Sequence, residues 1–153
     1  MILAFCFPIG VIAGLRAMTA PAAVAWAAHL GWLPLNGTPL AFLGRVAAPW
    51  VPTAFAVGEL ISDPLPKTPS RKVPIQFGTR IVAGALAGAA LGTPAGMLVV
   101  GTVVGAIGAV AGTLGGAAAR GRLAEAFGRD LPAALLEDAV AIGAAWRIVG
   151  AAR

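Results

Sequence analysis

The chain has 153 residues, of which 59% are hydrophobic and only 11% charged, and its net charge is +5. Soluble domains carry about 25% charged residues, so the composition argues against a water-soluble globule and predicts one integral membrane domain over residues 1–153. No basic face with interleaved aromatic residues is present, which argues against nucleic acid as a partner. The basic excess is expected to face membrane lipids instead.

One cysteine (Cys6) and one histidine (His29) limit the chemistry of the chain. A lone cysteine forms no internal disulfide, and these two residues are too few to ligate zinc or haem. The sequence also lacks the signatures of zinc proteases, serine hydrolases and P-loop nucleotide-binding proteins. We therefore predict no cofactor, no metal and no enzymatic activity. The alternative is a metal-dependent lipid-headgroup enzyme built on four acids: Glu59, Asp63, Glu137 and Asp138.

The first apolar region extends from residue 1 to Leu33 and contains one charged residue, Arg16. It opens without the basic residues that begin a secretory signal, so we expect it to remain in the mature protein. Pro21 has no backbone N–H and leaves the Ala17 carbonyl without a helical partner. The run from Arg16 to Pro21 therefore predicts a break between two half-helices, the second of which starts near Thr19.

The second apolar region, about Pro39–Leu65, is interrupted by Pro49 and Pro52. It is compatible with one kinked span or with a short interfacial helix followed by a short span. The polar, proline-rich segment that follows, as far as Pro74, is predicted to be a loop.

Residues 81–119 carry no charge. One straight helix of that length would measure about 58 Å, whereas the hydrocarbon core of a bilayer is about 30 Å thick. The segment must fold back, and the corner is predicted at Gly92–Pro94. In chain order, the predictions are a helix at Pro74–Gly92, a helix near Ala95–Ala119, a polar stretch at Arg120–Asp130 and a last helix near Leu131–Val149.

These elements predict an all-α fold, a polytopic bundle of about five closely packed transmembrane helices rich in glycine and alanine. Four crossings are expected if the second apolar region does not span. With five crossings, seven basic residues lie on the side of the N-terminus and three on the opposite side. The positive-inside rule then predicts a cytoplasmic N-terminus and an external C-terminus.

Glycines recur at helical spacing on the third and fourth predicted helices, and each set is expected to lie on one face. In lipid, close approach of backbones and van der Waals contact replace the hydrophobic drive for helix association. We interpret the sets as packing seams within the chain, with a homo-oligomer interface as the alternative. The two sets are Gly84, Gly88 and Gly92, then Gly101, Gly105, Gly108, Gly112 and Gly115.

Arg16 is the charge of greatest interest, because it is expected near the middle of the first span, where arginine costs about 2.5–3.5 kcal/mol. The helix start near Thr19 would present free N–H groups and a positive dipole end, which together with Arg16 favour an anion. The alternative is that Arg16 is a structural partner of an acid. The candidate ligand or ion-binding residues are Arg16, Thr19, Glu59, Asp63, Arg71, Arg80, Arg120, Glu137 and Asp138.

Two stretches, Gly14–Ala22 and Gly58–Arg71, resemble motifs of a family of small bacterial inner-membrane proteins of unknown function. Members carry a Gly-Leu/Met-Arg-Ser/Ala-Met-Thr/Ser-Ala-Pro run and a Glu-Leu-x-x-Asp-Lys-Leu-Pro-x-x-Pro-x-Arg run, and here Pro64 replaces the usual lysine. The resemblance implies a multi-pass protein of the bacterial inner membrane and brings no activity with it. The candidate residues that fall within its motifs are Arg16, Glu59, Asp63 and Arg71.

The leading functional hypothesis is a small-solute or ion transporter or channel component, expected to form a homo-oligomer. Arg16 and the break would be the binding position, with Glu59 and Asp63 as coupling or charge-compensating groups. The rival hypothesis is a non-catalytic accessory or scaffold subunit of a larger membrane complex.

Overall fold

The computed structural model describes residues 2–62, 65 and 72–153, and within these residues every regular element is helical. This confirms the predicted all-α class. The described α-helices, in chain order, are α1 (Leu3–Leu15), α2 (Thr19–His29), α3 (Trp50–Ser62), α4 (Pro74–Gly92), α5 (Leu98–Phe127) and α6 (Asp130–Ala151). Two short 3-10 helices, Ala41–Gly44 and Thr93–Ala95, precede α3 and α5.

Two of the described helical segments, Pro74–Ala95 and Leu98–Phe127, are long and apolar enough to cross a membrane. Helices α1 and α3 have 13 residues each and α2 has 11. At 1.5 Å per residue these three measure about 16–20 Å, so none of them alone matches a hydrocarbon core of about 30 Å. A bundle of five crossings is therefore not confirmed.

Several predicted boundaries agree with the structure. Helix α4 has the predicted bounds, and α6 exceeds its prediction by one residue at the start and two at the end. The chain turns between α4 and α5 at the 3-10 helix Thr93–Ala95, followed by Gly96 with φ 69°, so the predicted corner is confirmed. The second apolar region is not one kinked span, because a separate 3-10 helix precedes the short α3.

The separate polar stretch predicted at Arg120–Asp130 is wrong, because α5 continues through most of it to Phe127. Its Arg, Leu, Ala and Glu residues favour helix regardless of their polarity. The helix ends where Gly128 adopts a left-handed conformation with φ 66°, which glycine tolerates without strain.

Helix α5 packs against both α1 and α4 along its glycines, which confirms packing within the chain. A Cβ added at Gly88 would overlap the carbonyl oxygen of Gly101, and one added at Gly84 would lie 2.7 Å from that of Gly105. The glycines of α5 face two different helices. Gly101 and Gly105 contact α4, whereas Gly108 and Gly112 contact α1. The remaining packed glycine of the predicted sets is Gly92.

Gly115 is the exception to the predicted seam. An added Cβ there would meet nothing within 4 Å, and the neighbouring Gly116 is buried instead. The buried face of α5 continues from Gly112 to Gly116, four residues on, and Gly115 is turned away from it. Since the other predicted glycines are covered within the chain, a homo-oligomer interface stays a prediction that would need a different surface.

The surface of the described bundle is strongly apolar. Large side chains point outward from every long helix, for example Ile75 (80% exposed), Val82 (69%) and Val99 (71%). The interior is formed largely by small residues and also contains two arginines, Arg16 and Arg80, which are 0% and 2% exposed. The usual arrangement of a soluble protein is the reverse of this.

Candidate functional site

The predicted helix break is confirmed, since α1 ends at Leu15 and α2 begins at Thr19. Arg16 between them has an extended backbone, with φ −137° and ψ 111°. Pro21 contributes to the break because it has no N–H, and the N–H of Ala22 is the donor to the carbonyl of Met18. A break of this kind leaves carbonyl groups at one helix end and N–H groups at the next without helical partners.

The start of α2 is bound by the carboxylate of Glu59, which comes from α3. The N–H of Ala17 donates to Oε1 at 2.9 Å, and the N–H of Met18 donates to Oε2 at 3.1 Å. Each oxygen of the carboxylate thus accepts one backbone N–H, at the positive end of the helix dipole. A carboxylate of the protein itself therefore occupies the helix start, and Arg16, which was predicted to contribute to an anion position here, pairs with Asp138 instead.

The end of α1 is bound by Arg80, from the second turn of α4. One guanidinium nitrogen of Arg80 donates to the carbonyl oxygens of Gly14 at 2.9 Å and Leu15 at 2.7 Å, and the other donates to Glu59 Oε1 at 3.2 Å. The hydroxyl of Thr113 donates to the Ala109 carbonyl of its own helix at 2.8 Å and also lies 3.3 Å from the Gly14 carbonyl oxygen. Arg80 consequently links the two ends of the broken helix through Glu59.

Arg16 pairs with Asp138 of α6. Its Nε donates to Asp138 Oδ1 at 2.5 Å, and a second guanidinium nitrogen is in contact with the same oxygen. Arg16 is fully buried and Asp138 is 8% exposed. Four charges therefore meet at the break, two positive and two negative, and we call Arg16, Glu59, Arg80 and Asp138 the break cluster.

Arg120 and Glu137 lie outside the break cluster. Arg120 forms a two-pronged pair with Asp130, at 2.9 and 2.5 Å, and approaches Glu137 at 3.6 Å. Asp130 is half exposed, at 52% of its side chain. These residues connect α5 to α6 near the loop between them, so the structure separates Glu137 from its sequence neighbour Asp138.

The remaining predicted residues divide into two groups. Thr19 is buried as the first residue of α2, and the N-cap position before it is Met18, which has no capping side chain. Asp63 and Arg71 lie outside the described residues. In the described part of the chain, no three His, Cys, Asp or Glu side chains come together as a metal site.

Three cavities reach the residues of the break. The largest measures 650 Å³ and is lined by Met18 and Pro21 together with side chains of α3, α4 and the 3-10 helix before α3. A second of 180 Å³ includes Thr19 and lies between α2, α3 and α6. A third of 170 Å³ includes Leu15 and Arg120. These cavities reach residues next to the break, and none of them is lined by a member of the break cluster.

Sequence reasoning singled out all four members of the break cluster but did not assign their pairing. It also missed Thr113, whose hydroxyl lies 3.3 Å from the Gly14 carbonyl oxygen. The available signal was that Thr113 is a polar residue within an uncharged glycine- and alanine-rich helix. The backbone N–H groups of Ala17 and Met18 were anticipated only as a general property of a helix start.

Comparison with known proteins adds no relative: no family model, curated protein or solved structure matches the chain.

Proposed function

We propose that the chain is a multi-pass protein of the bacterial inner membrane with the basic loop before α4 in the cytoplasm. Helix α1 runs antiparallel to α4, since Cys6 contacts Gly88 and Arg80 contacts Gly14. The same orientation therefore puts the N-terminus on the outer side and not, as predicted, in the cytoplasm.

The distribution of polar and apolar side chains supports the proposed membrane location. Large apolar side chains are exposed on the outside of the bundle, and Arg16 and Arg80 are buried inside it. Hydrocarbon favours this arrangement, because exposed apolar side chains cost nothing there and charges need enclosure and partners. The motif resemblance also supports an inner-membrane location.

Within that membrane we propose a transporter or channel component for a small solute or ion, with an anion as the best-supported substrate. The observation that carries the proposal is the binding of Glu59 at the helix break, by two backbone N–H groups and Arg80. These donors hold a carboxylate, so they match small anions with one negative charge. Broken helices of this kind bind substrates near the bilayer midplane in many transporters.

Glu59 acts in this proposal as an internal anion that competes with the substrate. It is carried by α3, a helix with no fully buried residue among Trp50–Ser62. Departure of the carboxylate would leave the N–H groups of Ala17 and Met18, and Arg80, to bind an anion from an adjoining cavity. Arg16 supports the position from the other side through Asp138. Asp63, four residues after Glu59, remains the second predicted coupling group.

The test is anion flux in liposomes that contain the purified protein, measured with chloride, nitrate and acetate in turn. Arg16→Gln and Glu59→Gln should each change the flux several-fold, because both alter the charge balance of the break. Arg122→Gln is the matched control, since Arg122 is exposed on α5 and outside the cluster. Anion-induced shifts of the unfolding temperature, measured in detergent, give a second readout that does not depend on reconstitution.

The proposal fails if Arg16→Gln and Glu59→Gln remain folded and leave both the flux and the thermal shift at wild-type values. Failure to fold would be seen by circular dichroism before either measurement. If Glu59→Gln does not fold, the conservative variant Glu59→Asp is measured in its place. Aspartate keeps the negative charge, and its side chain is shorter by one methylene group.

The second candidate is an accessory or scaffold subunit of a larger membrane complex. One observation favours it: the four charges of the break cluster are already matched inside the chain, as expected for a purely structural device. Purification in a mild detergent separates the two functions. A stable complex with another membrane protein supports the scaffold, whereas a monodisperse homo-oligomer with anion flux supports transport.

A further inference from the structure

The cavity of 650 Å³ is an apolar cleft bounded by α2, α3 and α4. Its lining includes Met18, Leu43, Ala48, Phe55 and Leu86, and no charged side chain belongs to it. The hydroxyl of Thr79, which also lines it, donates to the Ile75 carbonyl of its own helix at 2.8 Å. The cleft therefore presents hydrocarbon and few polar groups to an occupant.

The cleft opens sideways, toward the surroundings of the bundle. Phe55 on α3 and Val82 on α4 both line it, and they are 65% and 69% exposed. Its volume of 650 Å³ lies within the range of about 300–1,000 Å³ typical of small-molecule sites. In the proposed membrane location, such an opening faces lipid chains rather than water.

A basic residue lies close in sequence to residues that line the cleft. Arg45 follows the lining residue Leu43 by two positions and precedes Ala48 by three. It is exposed, and within the described part of the chain its guanidinium forms no ion pair. Guanidinium groups bind phosphate oxygens with paired, charge-assisted hydrogen bonds. Trp50, 61% exposed, begins α3 nearby and is typical of residues at a membrane interface.

We propose that this cleft binds one acyl chain of an anionic phospholipid, with the phosphate of the headgroup held by Arg45. An apolar cleft combined with an exposed basic residue near its lining has the polarity and charge that complement such a lipid. The lining also includes Met18, whose N–H donates to Glu59. The bound chain would thus fill the space between α3 and α4 and stabilise the position of Glu59. This inference rests on the proposed membrane location and not on anion transport.

The experiment uses full-length protein in detergent micelles, to which phosphatidylglycerol or phosphatidylcholine with identical chains is added. Native mass spectrometry counts the retained lipids, and thermal unfolding measures the stabilisation. We expect one tightly held phosphatidylglycerol and a larger rise in unfolding temperature than with phosphatidylcholine. Lysophosphatidylglycerol, which has one chain, should compete with it, whereas glycerol phosphate, which has none, should not.

Two variants separate the contributions of headgroup and chain. Arg45→Gln should weaken phosphatidylglycerol binding about tenfold, the value of a lost charge-assisted hydrogen bond, and remove the preference over phosphatidylcholine. Ala48→Phe should fill the cleft and lower the retention of both lipids. The controls are Arg122→Gln and Ala118→Leu, which change exposed residues of α5 in the same way.

Equal binding of both lipids by the wild-type protein, or undiminished binding by either variant, would overturn the lipid site. Neither result depends on flux, so a failure of the transport proposal is seen separately in the liposome assay. A chain that remains monomeric in buffer without detergent would instead contradict the membrane location, and the lipid site with it.

Discussion

Glu59 and Arg80 bind opposite ends of the same broken helix and also each other, with Arg80 donating to Glu59 Oε1 at 3.2 Å. The carboxylate accepts from the N–H groups that begin α2, and the guanidinium donates to the carbonyl groups that end α1. Each charge therefore has a dipole end of suitable sign as well as an ionic partner. A break in a buried helix leaves backbone N–H and carbonyl groups without helical partners. Here the side chains of Glu59 and Arg80 supply those partners.

Loss of Arg80 should destabilise the protein strongly. In Arg80→Gln, Glu59 loses its ionic partner and the α1 carbonyls lose a charged donor, so we expect a loss of about 3–5 kcal/mol. Arg122→Gln, on an exposed position, should change stability by less than about 0.5 kcal/mol. Unfolding in mixed micelles, followed by circular dichroism, measures both. Equal stabilities of the two variants would mean that Arg80 does not support the break.

Arg16 and Asp138 should show strong coupling in a double-mutant cycle. Arg16→Met and Asp138→Leu each leave a buried charge without its main partner, at a cost of about 3–5 kcal/mol. The double variant replaces the pair with apolar side chains, so its stability should recover by more than about 1 kcal/mol relative to the sum of the single losses. Additive losses would show that the two residues do not pair.

The same double variant helps to distinguish a structural role from a transport role. If the Arg16–Asp138 pair only fixes the packing of α6, the stable double variant should retain wild-type anion flux. If Arg16 contributes positive charge to an anion position, the double variant should be stable and should have lost most of its flux. The flux assay in liposomes gives the answer directly.

The glycine seam should reject even one methyl group. In Gly88→Ala the added Cβ would overlap the Gly101 backbone, so the expected loss is about 1–3 kcal/mol despite the better helix propensity of alanine. Gly115→Ala is the matched control, because nothing lies within 4 Å of its added Cβ. It should be neutral or should gain up to about 1 kcal/mol. A destabilised Gly115→Ala would indicate that an oligomer contact covers this surface.

The proposed orientation is testable with single cysteines. In a Cys6→Ala background, Lys72→Cys should lie in the cytoplasm and Arg153→Cys outside. A membrane-impermeant maleimide should label the second in intact cells and the first only after permeabilisation. Labelling of both in intact cells would contradict the proposed placement of the basic loop and the C-terminus on opposite sides of the membrane.

Local rules were sufficient to predict several elements from the sequence. Both ends of α4 were predicted from Pro74 in its first turn and from the Gly92–Pro94 corner after it. The break before α2 was predicted from Pro21. These features depend on missing N–H groups and on glycine conformations, which act over a few residues. The continuation of α5 to Phe127 was missed because polarity was given more weight than helix propensity.

The pairing of the charges could not be predicted, because it depends on how distant helices pack. Asp138 and its neighbour Glu137 are chemically similar, and only the rotation of α6 decides which one reaches Arg16. Glu59 reaches the start of α2 because α3 packs against that helix, which no local pattern encodes. Gly115 likewise looked identical to Gly112 until the buried face of α5 was known.

The spacing of the seam also limits how α4 and α5 can move. Their backbones meet at Gly84, Gly88 and Gly92, each four residues from the next. A small slide along the axis would bring a side chain against a carbonyl, so intermediate positions are sterically blocked. The shortest shift that brings the next glycine of α4 to the same height is four residues, or about 6 Å. The contact therefore favours one register of α4 on α5 over positions displaced by a fraction of a turn.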